Sequence, residues 1–223
     1  MENHQHLRTL RSIAFIIGVF LLVFSLTMVI PSITNKYLGY EWKNFLAGMP
    51  LFDAICHGMS AVSTGEFANY NDSIGRYNDP LLEVITIIFM ILVSIPFLSY
   101  LKIIRRLDIY RDEQVSYFIG IVIISSLFAC FWLYRNVDLG ISLSFRYSTF
   151  TITSFITSTG YVLCNYVDWG FISVLAFFLT FIGGCGGSAS GGIKIFRLIV
   201  FLRSIGNRFR LLLDPNAGDR VKF

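Results

Sequence analysis

Charged side chains are scarce in this chain of 223 residues: they make up 14% of it, whereas 55% of the residues are hydrophobic. The mean hydropathy of +0.66 is too high for a soluble domain of this length, which excludes that class. The net charge of +4 does not indicate a nucleic-acid partner, because the basic residues lie at the ends of apolar segments. Membrane topology explains such a distribution better, and we expect a membrane protein in contact with lipid.

Cysteine and histidine are also sparse. The four cysteines lie in separate segments without a CxxC spacing, which favours reduced or lipid-buried thiols. A serine protease buried in the membrane would need a nucleophile with a glycine on each side, and neither Ser188 nor Ser190 has both. We therefore expect no enzyme activity and no covalently bound cofactor.

Apolar segments of two lengths alternate along the chain. Four are long enough to cross a bilayer, namely residues 13–33, 81–101, 117–134 and 170–202. Two amphipathic stretches, 50–64 and 142–157, are too short to cross, and we expect re-entrant half-helices there. The order of span, half-helix, polar turn and span occurs twice. The predicted fold class is an all-α membrane protein with two helix–pore-loop–helix repeats.

Basic residues orient this arrangement in the membrane. With both termini in the cytoplasm and Lys194 set aside as intramembrane, 12 Lys and Arg residues lie inside and 5 outside, out of 18. Residues 68–79 and 162–169 are then expected outside. The predicted parts are a cytoplasmic tail (1–12), a first repeat (13–101), a cytoplasmic linker (102–116), a second repeat with a glycine-broken last helix (117–202) and a cytoplasmic C-terminal tail (203–223).

Hydroxyl-rich turns end both predicted half-helices. The residues of the two turns are Ser63, Thr64, Gly65, Glu66 and Phe67, and Thr157, Ser158, Thr159, Gly160 and Tyr161. The C-terminal end of each half-helix carries a partial negative charge, and backbone carbonyl groups can replace the hydration shell of a cation. Hydrogen bonding between helices is the alternative role for serine and threonine, but the repetition of the turns favours an ion filter. The expected potassium ligands are the carbonyl groups of Thr64, Gly65, Ser158, Thr159 and Gly160.

The last apolar segment contains many small residues in its middle. They include Gly183, Gly184, Gly186, Gly187, Ser188, Ser190, Gly191 and Gly192. Each glycine weakens a helix by up to about 1 kcal/mol relative to alanine, so we expect a loop inside the membrane. Close helix packing is the alternative, but this run is small on every face. Lys194 follows the run, either as a charge at the inner mouth or as a side chain that snorkels to the interface.

The stretch GGCGGSASGGIKIFRL resembles the Lys-bearing broken helix of the Trk/Ktr/HKT superfamily of potassium transporters, and within it the membrane subunit of bacterial Trk uptake systems. Leu46–Gly75 resembles the second pore loop of that family, Phe145–Arg203 its third repeat, and Leu213–Ala217 the link to the fourth. The resemblance implies potassium transport across a bacterial inner membrane, with the glycine loop as the gate beneath the filter. It also implies a cytoplasmic nucleotide-binding regulatory subunit.

Two features depart from the family pattern. Family members carry four repeats around one pore, and this chain has room for two, so we expect a homodimer, a complementing subunit, or a truncated, non-conducting remnant. Glu66 stands where the first filter turn should have a glycine, and Gly160 is its equivalent in the second. Glycine adopts positive φ at no steric cost, whereas glutamate is strained there and adds a carboxylate.

Overall fold

A computed structural model describes residues 11, 14–19, 22–23, 49–104, 112–137 and 139–213. Of the first predicted span, residues 14–19 and 22–23 are helical. The rest of that span lies outside the described residues, as do nearly all of the N-terminal tail and the last ten residues of the chain.

Helices account for the regular structure from residue 49 onward in the described part of the chain. They are α1 (Leu51–Ser63), α2 (Pro80–Val93), α3 (Phe97–Ile104), α4 (Glu113–Asn136), α5 (Ile141–Ile156), α6 (Phe171–Thr180) and α7 (Ile195–Leu213). Short 3₁₀ turns lie at Ser73–Tyr77 and Val167–Trp169.

Two of the predicted boundaries agree closely with the helices. The half-helices α1 and α5 each begin and end within one residue of the predicted stretches. Among the described helices, α4 alone is both long and apolar enough to cross a membrane, with a hydropathy of 2.1 in its most apolar window. The shorter α2 and α6 are also apolar.

The predicted span over residues 81–101 contains a helix break that the sequence analysis did not predict. The chain leaves the helix after Val93 and re-enters it at Phe97, with Pro96 between them. Proline has no backbone N–H and disfavours helical geometry in the residue before it, so the helix ends at this point. The amide nitrogens of Ser94 and Ile95 still donate to the carbonyl groups of Ile91 and Leu92, as the last bonds of the helix.

Two further boundaries differ from the sequence prediction. The last span is helical in two parts, α6 and the first residues of α7, and α7 then continues to Leu213, well past the predicted start of the tail at residue 203. At the other boundary, α3 reaches Ile104 and so enters the predicted linker. The sequence prediction ended each segment at its last apolar residues. The helices extend further, because helical hydrogen bonding continues through the polar and charged residues that follow.

The hydrophobic core consists of two clusters that meet at α5. One cluster surrounds α1 and α2 and includes Phe150 of α5. The other joins α4, α5 and α6 and includes Ile152 and Ile156. Because the two faces of α5 belong to different clusters, this half-helix connects the two repeats and fixes the turn that follows it.

Candidate functional site

The turns that follow α1 and α5 share one backbone pattern; we name them turn 1 (residues 63–67) and turn 2 (residues 157–161). In turn 1, φ is +48° at Thr64 and +58° at Glu66. In turn 2, φ is +56° at Ser158 and +70° at Gly160. Left-handed residues are uncommon outside glycine, and their recurrence at matching places indicates a specifically shaped turn.

Ser60 of α1 holds turn 1 in place. The amide nitrogen of Gly65 donates to the Ser60 carbonyl at 2.9 Å, and the amide nitrogen of Phe67 donates to the Ser60 hydroxyl at 3.0 Å. These two N–H groups therefore point back toward the half-helix.

Ser154 of α5 has the same role in turn 2. Its carbonyl accepts from the amide nitrogen of Thr159 at 3.0 Å, and its hydroxyl donates to the carbonyl of Tyr161 at 2.9 Å. Ser60 and Ser154 each lie seven residues before the aromatic residue of their turn. The sequence analysis missed both serines, although this common spacing would have identified them.

The carbonyl groups of the two turns behave differently from the N–H groups. Of the ten carbonyl oxygens of the two turns, only those of Ser63 and Tyr161 accept a hydrogen bond within the described residues. The eight that accept none include the five expected potassium ligands, Thr64, Gly65, Ser158, Thr159 and Gly160. Most N–H groups of each turn donate to its half-helix, whereas these carbonyl oxygens remain available to coordinate a dehydrated cation.

Glu66 of turn 1 packs directly on Gly160 of turn 2. A Cβ atom built on Gly160 would lie 3.0 Å from Cγ of Glu66 and 3.4 Å from its Cα. Both residues are exposed. The two turns therefore meet at the positions that the sequence identifies as equivalent, with a carboxylate beside the unpaired carbonyl groups.

The aromatic residues of the two turns, although equivalent in sequence, have different surroundings. Phe67 is 79% exposed, whereas Tyr161 is only 2% exposed. The Tyr161 hydroxyl donates to the carbonyl of His57 in α1 at 2.6 Å, and the two rings pack edge to face at 5.4 Å. Tyr161 thus fixes turn 2 to the first half-helix.

Asp53 anchors the N-terminal end of α1. Its carboxylate accepts from the side-chain amide of Asn69 at 2.6 Å and from the hydroxyl of Tyr77 at 2.7 Å. Burial, and then the hydrogen bond to Asp53, raise the pKa of Tyr77 above its usual value, so this phenol stays protonated. Asp53 is therefore a structural anchor for the polar segment after turn 1.

The glycine loop, residues 181–194, turns back on itself between α6 and α7. The amide nitrogen of Ile193 donates to the carbonyl of Phe181 at 2.8 Å, and the amide nitrogen of Gly183 donates to the carbonyl of Ile193 at 3.0 Å. A Cβ atom on Gly183 would lie 1.8 Å from the carbonyl oxygen of Gly191. The two sides of the loop approach so closely that only glycine fits at position 183.

A polar network stabilises the tip of the glycine loop. The hydroxyl of Ser190 accepts from the amide nitrogen of Gly184 at 2.8 Å and lies 2.9 Å from the hydroxyl of Ser188. The half-buried ammonium group of Lys194 donates to the carbonyl groups of Ser188 and Ser190. Lys194 thus binds its own loop and does not extend away from it.

The glycine loop lies against both turns. The hydroxyl of Thr64 in turn 1 donates to the carbonyl of Ala189 at 3.1 Å. On the side of turn 2, a Cβ atom on Gly191 would lie 3.3 Å from the hydroxyl oxygen of Ser158. A conformational change in the loop would therefore alter its contacts with both turns.

An ion pair that the sequence analysis did not predict joins the repeats. Arg146 of α5 donates to both carboxylate oxygens of Glu83 in α2, and also to the side-chain oxygen of Asn78 at 3.0 Å. The Glu83 side chain is 3% exposed and that of Arg146 is 23% exposed. This two-point contact fixes the rotation of the second half-helix relative to α2.

Comparison with known sequences gives one family match. The profile of the TrkH family, described as a cation transport protein, matches residues 2–123. Two curated relatives are the Trk system potassium uptake protein TrkI of Halomonas elongata, 36% identical over 177 residues, and TrkG of Escherichia coli, 35% identical over 190 residues. The alignments cover 78% and 79% of this chain but 36% and 38% of the relatives. The chain thus spans less than half the length of these proteins.

A solved structure has the same fold. The crystal structure of the potassium transporter TrkH from Vibrio parahaemolyticus superposes with a TM-score of 0.81 at 23% sequence identity. The superposition covers 97% of this chain and 43% of that protein. The arrangement of half-helices, turns and broken helices is therefore that of a known membrane transporter.

Proposed function

Because this chain belongs to the TrkH family of cation transport proteins, we propose that it forms part of a path for potassium across a bacterial inner membrane. The chain is an all-α membrane protein, and named potassium uptake proteins are among its relatives. In this proposal turns 1 and 2 line the filter, the glycine loop is the gate, and K⁺ is the transported ion.

One observation carries the filter proposal: the unpaired carbonyl groups of turns 1 and 2, which include the five expected ligands. The N–H groups of Gly65 and Phe67 donate to Ser60 and that of Thr159 donates to Ser154, so these donors are directed toward the half-helices and not toward an ion. The C-terminal ends of α1 and α5, which precede these turns, add partial negative charge. A weakly hydrated monovalent cation fits such a set of neutral oxygen ligands.

The contacts of the glycine loop support its role as a gate. It touches Thr64 of turn 1 and Ser158 of turn 2, so it lies next to both proposed filter segments. Lys194 places a positive charge within the loop, and its ammonium group binds the carbonyl groups of Ser188 and Ser190. In this conformation the charge would oppose the passage of a cation.

A closed filter requires more segments than the two described here. We propose that a second copy of this chain, or a complementing subunit, supplies the others, since unsatisfied carbonyl and hydroxyl groups facing lipid would each cost several kcal/mol. A two-fold pair about an axis normal to the membrane would bury these groups. We further propose that both termini are cytoplasmic and that a nucleotide-binding regulatory subunit acts from that side.

Glu66→Gly is expected to raise potassium uptake. The substitution removes the carboxylate that packs on Gly160 and relieves a left-handed conformation that costs a non-glycine residue roughly 1–2 kcal/mol. The measurement is growth at low potassium, with rubidium uptake, in cells that lack their own potassium uptake systems.

Glu66→Gln is the matched control, because it keeps the strained backbone and removes only the charge. Equal rescue by the parent and by Glu66→Gly would place Glu66 outside the filter. No uptake by the parent or by either variant, with the protein folded and inserted, would instead favour a non-conducting remnant.

Cys164 provides a test of topology. Burial, and then the charge of Glu83, raise its pKa to about 11, so little of the thiol is ionised at neutral pH. With the other three cysteines replaced by alanine, an impermeant maleimide added outside should modify Cys164 slowly. The rate should rise about tenfold per pH unit between about pH 7 and pH 9, because the thiolate reacts and the thiol does not.

The matched control for Cys164 is Tyr110→Cys, at a position outside the described residues, with Cys164 also replaced. We expect no labelling of that residue from outside, since it belongs to the predicted cytoplasmic linker. Labelling at position 110 by the external reagent would overturn the proposed orientation.

A further inference from the structure

The glycine loop is attached to the rest of the chain at a second place, away from turns 1 and 2. The amide nitrogen of Cys185 donates to the carbonyl of Ser94 at 2.9 Å, and the amide nitrogen of Phe97 donates to the carbonyl of Gly187 at 3.0 Å. Both partners lie at the break between α2 and α3. The break therefore leaves the carbonyl of Ser94 and the N–H group of Phe97 available, and the glycine loop forms a hydrogen bond with each of them.

Gln114, in the first turn of α4, makes the third attachment. Its side-chain oxygen accepts from the amide nitrogen of Gly186 at 2.9 Å. Gly186 lies between Cys185 and Gly187, so three consecutive residues of the loop are bound from outside it. Gln114 is the only side chain among these partners, because the other two contacts are between backbone groups.

The attachment points lie at the two ends of the predicted cytoplasmic linker (102–116). Phe97 begins α3, which leads into the linker, and Gln114 lies near the linker's far end, in the first turn of α4. The hydroxyl of Ser99 in α3 donates to the carboxylate of Asp112 at 3.3 Å, which joins the two ends directly. A displacement of the linker would therefore reach the glycine loop through contacts that are already formed.

We infer that Gln114 is a positioning residue of the gate: its side-chain oxygen, together with the helix break at 94–97, holds the glycine loop in its present conformation. Movement of the cytoplasmic linker would release the loop by separating Gln114 from Gly186. This inference rests on the proposed function, because it treats the loop as a gate. It adds the route by which an event in the cytoplasm would reach that gate.

Cys185 provides a readout of the loop that does not depend on transport. This residue is fully buried and is itself attached to Ser94 through its amide nitrogen, so release of the loop would expose it. In a background with Cys56, Cys130 and Cys164 replaced by alanine, the rate of its reaction with a small thiol reagent reports loop opening. Basal rubidium efflux from loaded vesicles measures the gate in the same samples.

Gln114→Met keeps the length of the side chain and removes the accepting oxygen. We expect the modification rate of Cys185 and the basal rubidium efflux each to rise about fivefold, the effect of losing one typical hydrogen bond. Gln114→Glu, which retains an accepting oxygen, should stay within roughly twofold of the parent. The neighbouring variant Glu113→Gln should also match the parent, since Glu113 is exposed and does not contact the loop.

An unchanged Cys185 rate in folded Gln114→Met would overturn the inference, as would an equal rise in Glu113→Gln. A faster Cys185 reaction with no rubidium flux in any variant would support the attachment by Gln114 and sink the proposed transport function. If Gln114→Met does not fold, Gln114→Asn moves the oxygen by one bond. Faster deuterium exchange at the Gly186 amide of that variant supports the inference, and exchange as slow as in the parent refutes it.

Discussion

Arg146→Met is expected to abolish potassium uptake and to lower the free energy of unfolding by about 3–5 kcal/mol. The substitution leaves the carboxylate of Glu83, which is 3% exposed, without its charged partner in an apolar surrounding. It also releases the rotation of α5, the half-helix that ends in turn 2. Thermal unfolding in mild detergent measures the loss of stability, and rubidium uptake measures the loss of transport.

The double variant Arg146→Met with Glu83→Leu separates charge from packing. Because no isolated charge remains, most of the lost stability should return. Arg203→Met is the matched control: this arginine pairs with Glu113, and the two side chains are 60% and 63% exposed. Loss of this exposed pair should lower the free energy of unfolding by less than about 1 kcal/mol. Equal destabilisation by Arg146→Met and Arg203→Met would contradict the role that we give to the buried pair.

Gly183→Ala should disrupt the glycine loop and lower the free energy of unfolding by about 3 kcal/mol or more. We also expect the regulation of ion flux to be lost. The added methyl group would lie 1.8 Å from a backbone oxygen, that of Gly191, and 3.2 Å from the carbonyl carbon of Gly192. Backbone atoms cannot move aside as a flexible side chain can, so the hairpin between Phe181 and Ile193 must open. Unfolding in detergent and rubidium flux in vesicles would measure the two effects.

Gly120→Ala is the control for that substitution. Gly120 lies within α4, and nothing stands within 4 Å of the position its Cβ would take. Alanine is favoured over glycine in a helix, so this variant should be neutral or more stable by up to about 1 kcal/mol. If Gly183→Ala is as well tolerated as Gly120→Ala, the close approach at Gly191 does not constrain the loop.

The half-helices were predictable because their ends are local events. A run of hydroxyl residues and a glycine follows each amphipathic stretch, and the chain leaves the helix there whatever packs around it. The break at Pro96 was missed, because the sequence analysis gave priority to the apolar character of residues 81–101. A proline inside an apolar segment is compatible with a kinked helix, and the contacts of Ser94 and Phe97 with the glycine loop decide between the two outcomes.

The ion pair of Arg146 and Glu83 could not be derived from sequence, because the two residues lie 63 positions apart and on different repeats. The same limit applies to Gln114, whose partner is a backbone group 72 positions away. Phe67 and Tyr161 show a further limit. The sequence makes them equivalent, yet only the tyrosine has a hydroxyl that can reach the opposite half-helix, and it is buried for that reason.

The contact between Tyr161 and His57 also sets an order of events during synthesis. The two residues are 104 positions apart, so α1 leaves the ribosome well before the residue that packs against it exists. Folding is slow when it depends on contacts between distant parts of the chain. The first half-helix is therefore made before its packing partner, with the hydroxyl groups of Ser60 and Ser63 near its C-terminal end. The proposed filter would take its final shape only after the second half-helix has been inserted. A ribosome halted before residue 161 would leave α1 without its hydrogen-bonded neighbour and would expose that end of the nascent chain to membrane proteases.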